Sequence, residues 1–596
     1  MSMNELPTSE EQDVSRSVQE PDERESTGKA QSRLPDVIQR ILPHVPLFLC
    51  AVAMLLALSL CIYFMIGPAE GYFHSDCTDT LLWAQASFDS GKVFNPDFNY
   101  AALLPFGASV WLIPLIAIFG VTMKTHVIGM IIFALLFALS IVLLCRKLGW
   151  SYSWSFGATA LIFMLLSSSD KLREIMWNHV IYYSLGLLLL FFLLTLTFHA
   201  QEKLALAATE RSRIPLRLLP LAGLLIFTVL NATNGFQMLV LTVLPVFVGV
   251  FLERLFDRKT AVFSRENLPT VTVLGILMLG TLVGSALLKE LLGDISSGYA
   301  NAYSSYSNPD DWFDNFDKFF MNWFTLIGLD IRNGDPLASL ESIVNILRLG
   351  VAILLLLIPV VFLFFYQKIS NRQTQVLVIA HAFLLAFLFF GCVCGRLAAA
   401  NWRLTPLLGS SVLVTVSAAH ELWIQRKSAV ASCRAGVLVL AVLALLSGWN
   451  GKIIADMPFD YGRDNDLHLL ADALEDQGLE YGYATFWRSQ AITLLTDSRV
   501  KVREILVEKD EIITDMYQSQ GVWYEQQEGV TEYFILLSES EYQKIAYTPY
   551  WKQITSHCMT RMVYVSGYHI IVFAENIWND HSTPPIVTQP DDGYIS

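Results

Sequence analysis

Apolar stretches of about twenty residues, free of charge and separated by short polar breaks, recur along this chain. A helix of that length crosses the ~30 Å hydrocarbon core of a bilayer. Helix is the expected form, because lipid offers no partner to backbone N–H and C=O groups. The first run is Val45–Ile66, and others fall at about 126–145, 152–168, 180–198, 217–233, 235–252, 269–288, 343–366, 374–393, 403–424 and 435–449. The pattern therefore predicts about eleven spanning helices. Between the first two lies segment 67–125. Its second half, Leu103–Val121, is apolar but interrupted by Pro105, Gly107 and Pro114, and reads as an interfacial or re-entrant helix.

After Trp449 the periodicity changes. Leu467–Leu479 reads as an amphipathic helix ended by Gly478. Tyr481–Trp487, Val500–Leu506, Tyr533–Ser538 and Met562–Phe573 read as strands, with a helix between the first two. The expected fold class is a polytopic α-helical membrane protein with a small C-terminal α/β domain. Its expected parts are a disordered tail over 1–44, a membrane domain over 45–450, a soluble α/β domain over 451–580 and a disordered tail over 581–596. Residues 1–44 hold too few large apolar side chains to bury a core. No cleavable signal peptide is expected, since the first apolar run follows a long polar stretch and exceeds an h-region.

Composition agrees with lipid as the main solvent. Charged residues make up 16% of the chain, against roughly a quarter in soluble domains. The formal charge is −14, and Gly451–Ser596, with 23 acidic and 10 basic residues, carries −13 of it. That imbalance suits a solvated domain and argues against nucleic acid or anionic lipid as its partner. The eight cysteines form no framework: Cys392 and Cys394 are only CxC, and Cys77 and Cys558 are isolated.

Charge also orients the bundle, because short loops rich in Lys and Arg stay cytosolic. With the N-terminus cytosolic, the inner loops hold fifteen bases: Arg146, Lys147, Lys203, Arg211, Arg213, Arg217, Arg254, Arg258, Lys259, Arg265, Lys368, Arg372, Arg426, Lys427 and Arg434. The short outer loops hold six: Lys92, Lys124, Lys171, Arg173, Arg396 and Arg403. Counting 103–121 as a full span would turn the basic loops outward. The expectation is a multi-pass plasma-membrane protein with an extracytoplasmic C-terminal domain. One outer loop, 289–342, is long and carries a helical stripe of Trp312, Phe316, Phe319, Phe320 and Trp323. It reads either as an aromatic belt at the interface or as a lid over a lipid substrate.

Polar groups at the outer ends of spans are costly to keep near lipid, and mark candidate sites. Asp76 and Asp79 stand one helical turn apart just after the first span, with His74 beside them. A carboxylate there could take a proton from an acceptor hydroxyl; Asp79 equally suits a first-turn charge complementing a helix dipole. The turn SSSDKLREIMWNHV crowds Asp170, Lys171, Arg173, Glu174, Asn178 and His179 together; its structural reading is a helix start capped by Ser169 or Asp170. In GRLAAANWRLTP, Arg396 and Arg403 are two turns apart if one helix is continuous; either can snorkel or grip a phosphate. NATNGFQ, between the fifth and sixth spans, reads as a tight turn.

This layout resembles the GT-C glycosyltransferases, the superfamily of protein O-mannosyltransferases, oligosaccharyltransferases and lipid A aminoarabinose transferase. The likeness covers roughly residues 45–450: one span, an outer loop with an early Asp, an amphipathic helix and a broken apolar helix. Two details differ. Asp76 is followed by Cys77 where an Asp-Glu pair is usual, and NWRLTP has Leu404 where an Arg-aromatic-x-x-Pro pattern has its aromatic. The resemblance implies a polyprenyl-phosphate sugar as donor, with Asp76 as catalytic base or metal ligand and Asp79 beside it. It implies a second acidic residue from the next outer loop, Asp170 or Glu174. Donor-phosphate contacts would come from Arg403, with Arg396, Arg173 and Lys171 as further cations. His74, His179 and Asn178 are additional candidates. A divalent metal is compatible with such a site, and the acceptor is a glycan or protein. The rival readings are a transporter or flippase of a lipid-linked envelope precursor, and a non-catalytic scaffold for envelope assembly. Charges gathered at the outer face, without an internal repeat, favour the enzyme over a transporter.

Overall fold

Polar caps placed just before apolar runs set where the helices begin. Thr122, Ser151, Ser169, Ser339 and Asn371 each accept a backbone N–H of the turn that follows. The computed structural model describes residues 44–209, 214–257, 264, 267–293, 295, 305–332, 336–425, 430–509 and 511–578. The helices are α1 Val45–Ile66, α2 Asp79–Ser90, α3 Ser109–Phe119, α4 Met123–Lys147, α5 Tyr152–Leu165, α6 Asp170–Trp177, α7 Tyr182–Thr209, α8 Ile214–Ala232, α9 Gly235–Leu241, α10 Val243–Phe256, α11 Leu268–Leu292, α12 Trp312–Leu326, α13 Leu340–Phe364, α14 Arg372–Val393, α15 Thr405–Ile424 and α16 Val430–Asp456. The chain divides into two compact units, Met1–Pro46 and Leu47–Ser596, and only His44–Pro46 of the first is described. The expected tails 1–44 and 581–596 otherwise lie outside the described residues.

The chain is a multi-pass helical membrane protein. Among the described residues nine helices are long and apolar enough to cross a bilayer, with α9 and α10 counted as one. Two further expected spans are shorter: α5 has 14 residues, and the described apolar run of α8 is Leu219–Ala232. The broken segment yields α3, with only 11 residues. At 1.5 Å per residue it reaches about half the hydrocarbon thickness. Asn234 holds the start of this segment, accepting from Phe106 N and donating to Phe106 O, both at 3.0 Å. The NATNGFQ turn thus also fixes a neighbouring backbone.

The loops sort onto two ends of the bundle. At one end Asn371 Nδ2 donates to Leu148 O at 2.6 Å, Arg372 pairs with Glu253 at 2.8 Å and Lys147 pairs with Glu202. These are loops expected in the cytosol. Seven of the bases used to orient the chain, Arg211, Arg213, Arg258, Lys259, Arg265, Arg426 and Lys427, lie outside the described residues. At the other end both limits of segment 67–122 meet the C-terminal domain. Ser75 Oγ donates to Phe486 O, Ser498 Oγ donates to Val121 O at 2.6 Å, and Met123 N donates to Asp497 Oδ1 at 2.9 Å. A segment that leaves and returns on one side is not a span. In the long loop 289–342, where 294, 296–304 and 333–335 are not described, α12 carries the aromatic stripe. Phe319 and Trp323 are buried, Trp323 Nε1 donates to Ala352 O at 2.9 Å, and Asn322 Nδ2 donates to Ala398 O at 2.8 Å.

The C-terminal domain comprises α17 Asp466–Asp476, β1 Tyr481–Ala484, α18 Phe486–Leu495, β2 Lys501–Val507, β3 Ile512–Thr514, β4 Tyr533–Ser538, α19 Glu539–Ile545, α20 Pro549–Cys558, β5 Met559–Val565 and β6 Tyr568–Phe573. The sheet order is β3-β2-β1-β4-β6-β5. β1 lies parallel to β2 and β4, and the other pairings are antiparallel. Three expectations are corrected. The strand expected over Met562–Phe573 is a hairpin, because Ser566 and Gly567 both adopt positive φ (48° and 84°) and reverse the chain. The strand expected over Tyr481–Trp487 stops at Ala484, and Thr485 leads into α18. Arg396 and Arg403 do not share a helix: Ala400 is extended between two short 3-10 turns.

The loop after α1 is sewn to the exit of α16. Tyr63 Oη donates to Met457 O at 2.6 Å, Tyr72 and Tyr461 stack at 5.3 Å, and Arg463 pairs with Glu70. A Cβ added at Gly71 would stand 1.9 Å from Tyr461 O. Gly71→Ala is therefore expected to cost about 1–3 kcal/mol, the usual range for overpacking. Gly275→Ala, where a Cβ meets nothing within 4 Å, should not destabilise. Thermal unfolding of both variants in detergent checks the pair.

Candidate active site

After α1 the backbone runs through 3-10 turns at Pro68–Tyr72 and Ser75–Thr78 before α2 begins at Asp79. These tight turns present His74, Asp76 and Asp79 in succession. Asp79 is buried, 6% exposed. Its Oδ2 lies 3.4 Å from His179 Nε2, and its Oδ1 accepts from Gln518 Nε2 at 2.6 Å. Asp76 is the open member of the pair. Its side chain is 36% exposed, and its nearest ionic neighbour is His74 Nδ1 at 4.0 Å.

His74 leads to the second outer turn. Its Nε2 lies 3.1 Å from Glu174 Oε1, while Lys171 Nζ donates to both Glu174 oxygens at 2.9 and 2.7 Å. Lys171 also sits over the Trp402 ring, 4.7 Å from its centroid. Trp402 precedes Arg403, which is buried and donates from Nη1 to Arg396 O at 2.7 Å. Asp76, His74, Glu174, Lys171 and Trp402 thus form one run of neighbours, and Arg403 follows Trp402 in the chain.

The electrostatics follow from these contacts. Burial alone would raise Glu174, but His74 and then Lys171 outweigh it and hold the carboxyl down to about 2. Burial pulls His74 down, yet the Cys77 sulfur and the Glu174 carboxylate leave its imidazole well above the ordinary 6.5. Burial also raises the Cys77 thiol and keeps it neutral, so Glu174 supplies the countercharge. Asp76 is raised by the walls around it and then by the negative charge of Asp79, with His74 and His179 opposing. A raised carboxylate is a better proton acceptor.

The other sequence candidates stand elsewhere. Asp170 is exposed and pairs with Arg173; Tyr72 Oη donates to it at 3.4 Å. Arg173 is buried and donates to Ser167 O at 2.9 Å, so it closes its own helix start rather than facing Asp76. Asn178 joins α4 to the first loop: Oδ1 is 2.9 Å from His126 Nε2, and Nδ2 donates to Ala69 O at 3.3 Å. Arg396 is exposed, with its carbonyl serving Arg403.

Sequence reasoning missed three contributions of the C-terminal domain. Trp487 is 48% exposed and meets the His74 ring edge-on at 5.9 Å. Gln518 holds Asp79, as above. Glu504, on β2, is fully buried. Burial, then Asp515 and Asp79, push its carboxyl well above the usual range. No local motif marks these three. Arg348 in α13 is a fourth omission, and it did carry a signal: it is the lone charge in the apolar run Ser342–Gln367.

A resident metal does not fit these residues. Among the described residues no three of His, Cys, Asp and Glu converge as a metal requires. Asp79 and Glu174 already spend their oxygens on Gln518, His179, His74 and Lys171.

No family model and no curated protein matches the chain. Solved structures do align with it. ArnT from Cupriavidus metallidurans bound to undecaprenyl phosphate is 12% identical with a TM-score of 0.47, over 90% of this chain and 98% of that one. The archaeal oligosaccharyltransferase AglB from Archaeoglobus fulgidus, in complex with an inhibitory peptide and a dolichol-phosphate, is 11% identical with a TM-score of 0.39, over 90% of this chain and 74% of that one.

The His74–Glu174 pair has a defined pH window. Glu174 lies below its ordinary 4.5, so its contribution to stability is present above about 4.5 and lost as pH falls towards about 2. His74 lies above 6.5, so its contribution is full below 6.5 and lost as pH rises through its folded value. Glu174→Gln should flatten the acid slope and His74→Gln the alkaline one. Thermal unfolding across pH in detergent measures both; unchanged slopes would remove the pair from the stability of the fold.

Proposed function

We propose that this protein is a membrane glycosyltransferase that moves a sugar from a polyprenyl-phosphate donor to an acceptor hydroxyl at the outer face of the membrane. The observation that carries the reading is the run of contacts from an open carboxylate, Asp76, through His74, Glu174 and Lys171 to Trp402, the residue before the buried Arg403. In this reading the site stands where the bundle meets the headgroup plane. The arrangement suits a substrate whose lipid remains in the bilayer while its phosphate and sugar reach the site.

In this reading Asp76 accepts the proton of the acceptor hydroxyl as its oxygen attacks the anomeric carbon. The bond from that carbon to the phosphate oxygen breaks, and the phosphate departs with the electron pair, so displacement is direct and the anomeric centre inverts. Lys171 and Arg403 stabilise the charge gathering on the leaving phosphate. Glu174 holds Lys171 and His74 in place. The orientation, with the site extracytoplasmic and loops such as 146–151 and 366–371 cytosolic, follows from the basic residues of those loops. The proposed membrane and soluble domains, 45–450 and 451–580, then meet at this site.

Asp76→Asn should lower sugar transfer by about 10²–10⁴-fold, the usual weight of a general base, with unfolding temperature unchanged. Lys171→Ala should raise the KM for the lipid donor. The assay is transfer from a radiolabelled polyprenyl-phosphate sugar by the detergent-solubilised chain. Full activity in Asp76→Asn removes the assignment of the base. Movement of a lipid-linked precursor across liposomes without any transfer would favour a transporter instead.

A further inference from the structure

One of the side chains that the C-terminal domain brings to the candidate site is Gln518. Gln518 is 1% exposed and belongs to the segment between β3 and β4. Its amide makes two directed hydrogen bonds to the same helix of the membrane part. Nε2 donates to Asp79 Oδ1 at 2.6 Å, and Oε1 accepts from Trp83 Nε1 at 2.8 Å. Asp79 and Trp83 are four residues apart on α2, so they sit on one face. An amide bridging them reads donor against carboxylate and acceptor against indole, which also fixes which way the amide points.

The backbone supports this placement. Gln518 holds φ at 49°, the left-handed region that a residue with a Cβ enters at a cost. Such a conformation persists where the surroundings over-determine it. Here they do: Ser519 O accepts from Asn99 N at 2.9 Å, Asn95 Nδ2 donates to Gln520 Oε1 at 3.3 Å, and Phe98 and Gln520 form an antiparallel bridge. The segment is pinned to residues 95–99 immediately after Gln518, so the glutamine has little freedom to leave Asp79.

With His179 on the other oxygen, Asp79 is fixed from two directions: one partner follows α6, the other comes from the C-terminal domain. Asp79 is one helical turn from Asp76. We infer that Gln518 is a positioning residue, through which the C-terminal domain locks Asp79 and sets the geometry of the Asp76–Asp79 pair. The inference rests on the reading of Asp76 as the base. It goes further in making the C-terminal domain a part of the catalytic centre.

The test separates contact from function. Gln518→Leu keeps the bulk and removes the donor. It should lower kcat roughly tenfold to a hundredfold, as loss of a supporting hydrogen bond typically does, with the KM for the lipid donor unchanged. The contact itself is read without activity. Gln518→Glu still accepts from Trp83 but sets carboxylate against carboxylate, and should lower the unfolding temperature of the full chain in detergent. Combining it with Asp79→Asn restores a donor opposite an acceptor and should recover most of that loss. Additive losses in the double variant would overturn the contact. A normal kcat in a folded Gln518→Leu would overturn the positioning role. If Gln518→Leu does not fold, Gln518→Asn, which tolerates left-handed backbone but falls short of Asp79, carries the kinetic arm with the same outcomes. Absence of sugar transfer by the unaltered chain would instead sink the reading of the site, while the unfolding temperatures still decide the contact.

Discussion

A buried carboxylate at the edge of an apolar bundle is the constraint on which the rest of this site depends. Glu174 has a side chain only 13% exposed, and an ion so placed carries a desolvation penalty of several kcal/mol unless cations meet it. It meets two, His74 from the first outer loop and Lys171 from its own helix turn. Lys171 in turn rests on Trp402. One charge thereby draws three chain segments, far apart in sequence, to one place. None of these contacts is strong alone; the cost of an unpaired Glu174 makes them obligatory together.

The second constraint is topological. Because α3 is too short to cross the membrane, the chain between α1 and α4 must return to the side it left. Both ends of that excursion are then available to the C-terminal domain, and it grips both, through Phe486 at one and Asp497 and Ser498 at the other. The C-terminal sheet is therefore not an appendage joined by a linker. Its parallel strands β1 and β2 place α18 against the His74–Thr78 turn, and the segment after β3 carries Gln518 to Asp79.

Much of the membrane part was legible in the sequence because lipid imposes one rule, a charge-free helix of fixed length, that a single pass along the chain can apply. Val45–Ile66 matches its expected limits for this reason. The C-terminal domain obeys no such rule. There the hairpin at Ser566–Gly567 hides inside one apolar run, and only the left-handed backbone of two residues divides it. The site divides along the same line. His74, Asp76, Asp79, Lys171 and Glu174 lie in local polar clusters and were visible. Whether Asp170 or Glu174 turns inward was not, since both lie on one helix face and the choice falls to Arg173, which captures Asp170 at the helix start. Gln518 and Trp487 lie more than four hundred residues from Asp79 and His74, which they meet, and no spacing rule links them.

The two aspartates show how packing assigns roles to chemically equal groups. Asp76 and Asp79 come from the same loop, three residues apart, and either could accept a proton. Asp79 is enclosed, and each of its oxygens already faces a partner. A carboxylate so enclosed is shielded from a substrate, and its contact with Gln518 holds α2 to the C-terminal domain. Asp76 has no partner closer than His74 at 4.0 Å and keeps a third of its surface open. Burial and then its neighbour's negative charge make it more basic, with His74 and His179 opposing. The buried aspartate therefore acts on the exposed one through its field, and the contacts that immobilise Asp79 are what make that field constant.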